Sequence, residues 1–173
     1  AGSGDIYQIC KVWRQDESGR KHNPEFSMLE YYRVGFSYQQ LMQEVAELLQ
    51  LVIPHLTNEP QTLTYRQAFL EILGLDPHQA SIEQLRACAQ QQQIDFQGEL
   101  NQQAWLDLLF THCIEASFPS DHLTFICHYP ATQAALARVR LEDGNWVAER
   151  FEVYLGPLEL GNGYQEQTDA SQL

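Results

Sequence analysis

The sequence predicts an α+β domain, an antiparallel sheet interrupted by a block of helices. Strand-like runs occupy both ends of the chain, and helical periodicity is confined to residues 37–118. The stretch HNPEFSMLEYYR, residues 22–33, splits by parity into two different surfaces, as a strand does. Asp143-Gly144-Asn145 sits between two apolar runs, a hairpin turn signal. Strands and helices segregated in this way read as α+β. The 173 residues suit one domain at the usual scale of about 150 residues. It is expected as a hairpin over 1–36, a helical segment over 37–118 and sheet strands over 119–173.

Taken in order, Ile6–Trp13 is a short apolar-rich strand, broken by a polar loop that holds Gly19 and Pro24. Phe26–Tyr32 follows as its antiparallel partner. Phe26, Met28, Glu30 and Tyr32 fall on one side of that strand. An acid on an otherwise apolar face costs several kcal/mol if it is buried without a partner, so Glu30 is expected to meet a cation, from the protein or from a ligand. Ser37 can cap a helix with an apolar stripe at Leu41, Val45, Leu48, Leu49 and Val52. Residues 56–63 read as a linker. Thr64 caps a second helix that Gly74 stops, and Ser81 to Gln84 fits a capping box for a third. Asn101 opens a fourth, with Trp105, Leu108, Leu109 and Cys113 on its apolar side. Strands are expected again at Leu123–Tyr129, Ala135–Leu141 and Trp146–Leu155. Gly156-Pro157 then bends the chain into an extended Leu158–Glu166.

Composition narrows the class. The chain is 44% hydrophobic and 19% charged, enough apolar material for a core. No stretch approaches the roughly 20 apolar residues that cross a bilayer, and no signal peptide is visible. No membrane partner and a cytoplasmic location are therefore expected. Cys10, Cys88, Cys113 and Cys127 form no CxxC pair and read as reduced thiols. The net charge of −13 argues against a general nucleic-acid surface, but Lys11, Arg14, Arg20, Lys21 and Arg33 gather between residues 11 and 33. The histidines show no zinc-ligand spacing, and no Walker loop, GxGxxG or GxSxG is present.

Three clusters could carry chemistry. Arg14 beside the loop Gln15–Asn23 suits a phosphate, or is simply an exposed mixed-charge hairpin loop. The Glu30/Tyr32 face is either a ligand face or an edge strand whose acid pairs with a nearby arginine. In FEVYLGPLELGNGYQE, residues 151–166, Glu152 and Glu159 flank the Gly156-Pro157 bend and could converge. Two carboxylates with phosphate oxygens make a hard-oxygen Mg²⁺ site. Asn162, Tyr164 and Glu166 share one parity, and Gly161 and Gly163 would admit a close backbone or ligand. The plain alternative is a Gly-rich hairpin with solvated acids.

RQDESGRKHNPEFSMLEYYR, residues 14–33, resembles motif 2 of the class II aminoacyl-tRNA synthetases of the lysine type, and VAERFEVYLGPLELGNGYQEQTDA, residues 147–170, resembles the segment before their motif 3. The GR before HNPEF, the LEYYR ending and TFICHYPATQAALARV are most similar to the short branch of that family. Its members lack an anticodon-binding domain and join (R)-β-lysine to elongation factor P. The resemblance spans nearly the whole chain. It implies a class II catalytic core, ATP and Mg²⁺. Arg14 would hold the α-phosphate as the catalytic residue. Gln15 and Asp16 would stand at the nucleotide, in place of an asparagine and of a glutamate that reads the adenine amino group. His22 and Asn23 would end the loop over the nucleotide, and Phe26 would stack on adenine. Glu159 and Leu160 would also lie at the nucleotide, with Glu152 and Glu159 as Mg²⁺ acids. Glu30, Tyr32, Asn162, Tyr164 and Glu166 would hold the amino acid.

The implied activity is that of an ATP-dependent ligase. It would activate lysine or (R)-β-lysine as an adenylate and pass it to a lysine of elongation factor P, with no tRNA partner. Neither motif 1 nor motif 3 is found, so the chain is expected to be the middle of a catalytic domain of about twice this size, homodimeric at full length. A piece of a lysyl-tRNA synthetase and a non-catalytic, synthetase-like binding protein are the alternatives.

Overall fold

The computed structural model describes residues 2–14, 23–56 and 58–169. It divides into two compact units, Ala1–Ser37 and Tyr38–Leu173.

The first unit is a two-stranded antiparallel ribbon of β1 (Ile6–Trp13) and β2 (Glu25–Tyr32), in register from Ile6 opposite Tyr32 to Trp13 opposite Glu25. Its open end is closed by Asp5, which accepts from Arg33 Nη1 at 2.8 Å and from the Val34 amide at 2.7 Å. Arg33 also lies 4.6 Å from the centre of the Phe36 ring. One cation of the basic cluster is thus committed to structure. Lys11 pairs with Glu25 at 3.5 Å, an exposed contact that contributes little. Arg20 and Lys21 lie outside the described residues.

The second unit is a three-layer α+β domain. Its sheet runs β3 (Gln61–Thr64), β4 (Leu123–Pro130), β6 (Asn145–Leu155). The far edge of β6 is shared by β5 (Val139–Glu142) and β7 (Leu158–Tyr164). Every pairing is antiparallel except β3 with β4. One face carries α1 (Tyr38–Val52), where Tyr38 and Ala46, with Leu56 just beyond the helix, pack with Leu123, Phe125, Cys127, Phe151 and Val153. The other face carries α2 (Tyr65–Leu73), α3 (Ile82–Gln91) and α4 (Gln102–Leu109). These bury Tyr65, Phe69, Leu85 and Leu109 against Ile126, Tyr129, Ala148 and Tyr154. With helices on both faces, β4 is buried along most of its length, so it reads as a continuous apolar run.

The helix ends follow local chemistry. Thr64 and Gln67 form a capping box, as do Ser81 and Gln84, and Asn101 caps α4 through the Ala104 amide. Gly74 ends α2 in the left-handed region at φ 67°, its amide bonded to the Leu70 carbonyl. Asp143 and Gly144 both take positive φ, 48° and 80°, the two-residue turn that matches strand twist.

Three expectations are corrected. Residues 56–63 are not a simple linker: Leu56 is buried, and Gln61–Thr64 is a strand. Its parallel pairing with β4 makes the sheet mixed. The strand expected over Ala135–Leu141 begins only at Val139, because Ala131–Gln133 forms a 3₁₀ turn and Ala135 adopts φ 49°. Beyond α4 the chain passes through a π-helical turn, Phe110–Ile114, before a short α5 (Glu115–Ser117). No helix among the described residues is long and apolar enough to cross a membrane.

Candidate functional site

On the ribbon, cross-strand register places Val12 opposite Phe26, Cys10 opposite Met28, Gln8 opposite Glu30 and Ile6 opposite Tyr32. Partners across a ladder share a face, so Phe26, Met28, Glu30 and Tyr32 lie together, as parity predicts. Arg14, two residues beyond Val12, joins them. Its guanidinium lies 5.4 Å from the centre of the Phe26 ring, within cation–π range. Its amide donates to the Pro24 carbonyl at 3.0 Å, extending the ribbon past β1. The arrangement sets a guanidinium beside an aromatic ring. Glu30 departs from expectation in its surroundings: it is exposed, as is Tyr32. Water therefore solvates the carboxylate, and the penalty that seemed to demand a partner does not arise. Asn23 is exposed at the edge of the loop. Gln15, Asp16 and His22 lie outside the described residues.

In the second unit the acids converge. Along β6, Arg150, Glu152 and Tyr154 share one face, and β7 sets Tyr164, Asn162 and Glu159 opposite them. Glu159 and Asn162 differ in parity, so a regular strand would send them to opposite faces. A register shift at Val153/Tyr154 makes Leu160 the extra residue and brings them to one side. The Asn162 amide then lies 3.5 Å from Glu159 Oε1. Leu160 packs with the α1 cluster on the opposite face, which leaves only its backbone for any role beside Glu159. Glu166 follows two residues beyond Tyr164, in an isolated bridge with Ala137.

Glu152 is heavily engaged. The phenols of Tyr129 and Tyr154 each donate to its Oε2 at 2.5 Å, and Arg150 Nη2 donates to its Oε1. Burial, and then the charge of Glu152, raise the pKa of both phenols, so they remain protonated donors. Desolvation of the Glu159 carboxyl, and then the charges of Glu152 and Glu115, raise its pKa against the opposing effect of Asn162 and Arg150. Two carboxylates that repel each other on one face are a place where a divalent cation is favourable. Among the described residues no group of three or more His, Cys, Asp or Glu is set to hold a metal. A divalent cation at this pair would need further oxygens from water or from a ligand such as a phosphate.

A second cluster escaped the sequence reading. His128, at φ 54° in the β-bulge of β4, lies with Nδ1 2.8 Å from Glu142 Oε2. Its Nε2 meets the Tyr38 hydroxyl and, at 3.2 Å, Arg140 Nη2. Arginine only donates, so the Arg140 contact assigns Nε2 as the acceptor of the neutral ring and Nδ1 as its protonated nitrogen. Arg140 also bonds Glu142 at 2.7 Å and lies 3.3 Å from the buried Glu149, which Arg138 engages as well. Burial holds the His128 pKa below its ordinary value, Arg140 adding to this while Glu142 and Glu149 oppose it. The unfolded chain takes up this proton near pH 6.5 and the folded chain only at lower pH. The stability that depends on neutral His128 is therefore present above about pH 6.5 and is lost as the pH falls toward the folded value. Unfolding free energy measured from pH 7 to 5 is expected to fall with a slope that His128→Gln makes shallower, by at most ~1.4 kcal/mol per pH unit for one proton. An unchanged slope would remove His128 from this role.

The signal for the Glu152 donors was available. Arg150 and Tyr154 stand two residues to either side of Glu152, and parity alone places them on its face. Nothing local announced His128, because its direction depends on a bulge.

The family of class II tRNA synthetases (D, K and N) matches the chain over residues 1–173. The chain is 45% identical over 174 residues to the elongation factor P–(R)-beta-lysine ligase of Pseudoalteromonas translucida, and 44% identical over the same length to that of Edwardsiella ictaluri. Each alignment covers 99% of this chain and 53% of the relative. The ligase of the same name from Vibrio parahaemolyticus is 45% identical over 168 residues, covering 96% of the chain and 51% of the relative. The chain thus spans about half the length of the curated relatives it matches. With a family match running from its first residue to its last, the chain belongs to the class II tRNA synthetases of the D, K and N group.

Proposed function

We propose that the protein carrying this chain uses ATP to activate lysine or (R)-β-lysine as an adenylate and transfers it to a lysine side chain of elongation factor P. The observation that carries the reading is the assembly of each half-site on one face: Arg14 over Phe26 with Glu30 and Tyr32 on the ribbon, and Glu152, Glu159, Asn162 and Tyr164 across β6 and β7. The substrate carboxylate attacks the α-phosphorus of ATP and pyrophosphate leaves. The acceptor amine then attacks the activated carbonyl and AMP leaves. The first step asks a protein for positioning and positive charge rather than covalent help. Arg14 supplies that charge at the α-phosphate, and Phe26 offers a ring to the purine. Held by Glu159 and Glu152, Mg²⁺ would neutralise charge on the departing pyrophosphate. Glu30 and Glu166 answer the ammonium groups of a diamino acid, Tyr32, Asn162 and Tyr164 line its place, and Gln15, Asp16, His22, Asn23 and the Leu160 backbone attend the nucleotide. The names of the relatives support the acceptor and the amino acid. The balance of −13 supports a protein acceptor over tRNA. A cytoplasmic homodimer is the form proposed for the whole protein.

The test is pyrophosphate exchange by the full-length protein with ATP and (R)-β-lysine, followed by labelling of elongation factor P. Charging of tRNA instead would favour a lysyl-tRNA synthetase, and no exchange with any diamino acid would favour a binding protein. Within this reading, Glu30→Gln weakens diamino-acid binding roughly 10-fold, the scale of one charged contact. ATP affinity, followed by calorimetry, stays near normal. Equal loss of both would take Glu30 out of the amino-acid site.

A further inference from the structure

Glu152 accepts three hydrogen bonds from side chains that the sequence reading left without a role, and all three donors are themselves held. Tyr129 and Tyr154 are 3% and 1% exposed. The Tyr129 ring lies 5.0 Å from that of Tyr65, and the Tyr154 ring 5.0 Å from that of Phe118. Arg150 lies 4.6 Å over the Tyr129 ring and donates its Nη1 to the Gln133 carbonyl at 2.9 Å. A carboxylate offers about four acceptor positions. Both phenols take Oε2 and Arg150 takes one position on Oε1, so one position on Oε1 has no donor among the described residues. Glu159 is different: the Asn162 amide at 3.5 Å is its one hydrogen bond among the described residues.

We infer that Tyr129, Tyr154 and Arg150 are positioning residues that lock the Glu152 carboxylate beside Glu159, leaving Glu152 one oxygen position for a divalent cation while Glu159 can offer both of its oxygens. This rests on the proposed metal role of the two acids. Two tyrosines and an arginine deliver the charge of Glu152 in one orientation, so a cation meets a carboxylate that does not have to be ordered on binding. Donors behind a metal-binding carboxylate are commonly worth 10- to 100-fold in metal affinity.

The experiment is Mn²⁺ binding to the full-length protein in the presence of ATP, read by electron paramagnetic resonance, with ATP affinity measured separately in chelator. The wild type should bind Mn²⁺ with ATP; failure there overturns the metal role of the pair, and the inference with it. Given binding, Tyr154→Phe keeps the ring against Phe118 and removes one donor. It is expected to weaken Mn²⁺ about 10-fold with metal-free ATP affinity and melting temperature close to wild type. Glu159→Gln is expected to weaken Mn²⁺ further than Tyr154→Phe does. Should Tyr154→Phe prove unstable, Arg150→Lys gives the second reading: it keeps the charge, loses the planar fork, and should weaken Mn²⁺ while leaving metal-free ATP binding intact. Unchanged Mn²⁺ affinity in both donor variants, or equal weakening of Mn²⁺ and metal-free ATP, would show that the donors serve packing alone.

Discussion

Arg14→Ala in the full-length protein is expected to lower pyrophosphate exchange by about 10²–10³-fold, the scale of losing one preorganised donor to developing charge. The Arg14 amide ties its backbone to Pro24, and its guanidinium lies 5.4 Å from the centre of the Phe26 ring, so less has to be ordered when an anion arrives. Under the proposed reaction, negative charge on the α-phosphate grows as the carboxylate attacks, and a fixed guanidinium stabilises that state more than the ground state. The loss should therefore fall mainly in kcat rather than in the KM for ATP. Arg14→Lys should recover only a small part, because a point charge on a flexible stem reproduces neither the fork nor the stacking on Phe26. An Arg14→Ala protein that raises only the KM would make Arg14 a ground-state binder. Full activity would remove it from the site.

What the sequence disclosed and what it hid divide along physical lines. Caps are decided by groups three residues apart, so Thr64, Ser81 and Asn101 could be read directly. The Asp143-Gly144 turn is equally local. β3 is short and polar, and its partner lies far along the chain in a parallel pairing with no turn to announce it. Parity correctly grouped Phe26, Met28, Glu30 and Tyr32, but parity says nothing of what covers a face, and Glu30 is exposed. The acids show the same limit. The bend between Glu152 and Glu159 suggested that the two could converge, whereas the extra residue at Leu160, which gives Glu159 and Asn162 a common face, leaves no mark in composition. Bulges at His128 and Leu160 are thus places where strand periodicity misleads.

The glycines of GNG are a sharper case, and they carry the second large effect. The sequence suggested that Gly161 and Gly163 both admit a close neighbour. The structure separates them. A Cβ on Gly161 would meet nothing within 4 Å, whereas one on Gly163 would lie 2.6 Å and 2.7 Å from the Phe151 ring and 3.1 Å from Leu41 Cδ2. Phe151 sits opposite Gly163 in the ladder and is fully buried, between Phe125 and the α1 layer, so its ring has no room to retreat. Gly163 is therefore required by its own core rather than by a ligand. Gly163→Ala should destabilise the folded state by about 1–3 kcal/mol, the range for overpacking a dense interior. Gly161→Ala should fall within about 0.5 kcal/mol of wild type. Neither glycine occupies the left-handed region, so backbone strain does not enter and the contrast is purely steric. Thermal unfolding of the two variants side by side checks it. Phe151→Leu in the Gly163→Ala background should restore part of the loss, since it removes the ring edge that the new methyl strikes. Equal stability of the two alanine variants would mean that the α1 layer yields more easily than a close-packed core allows.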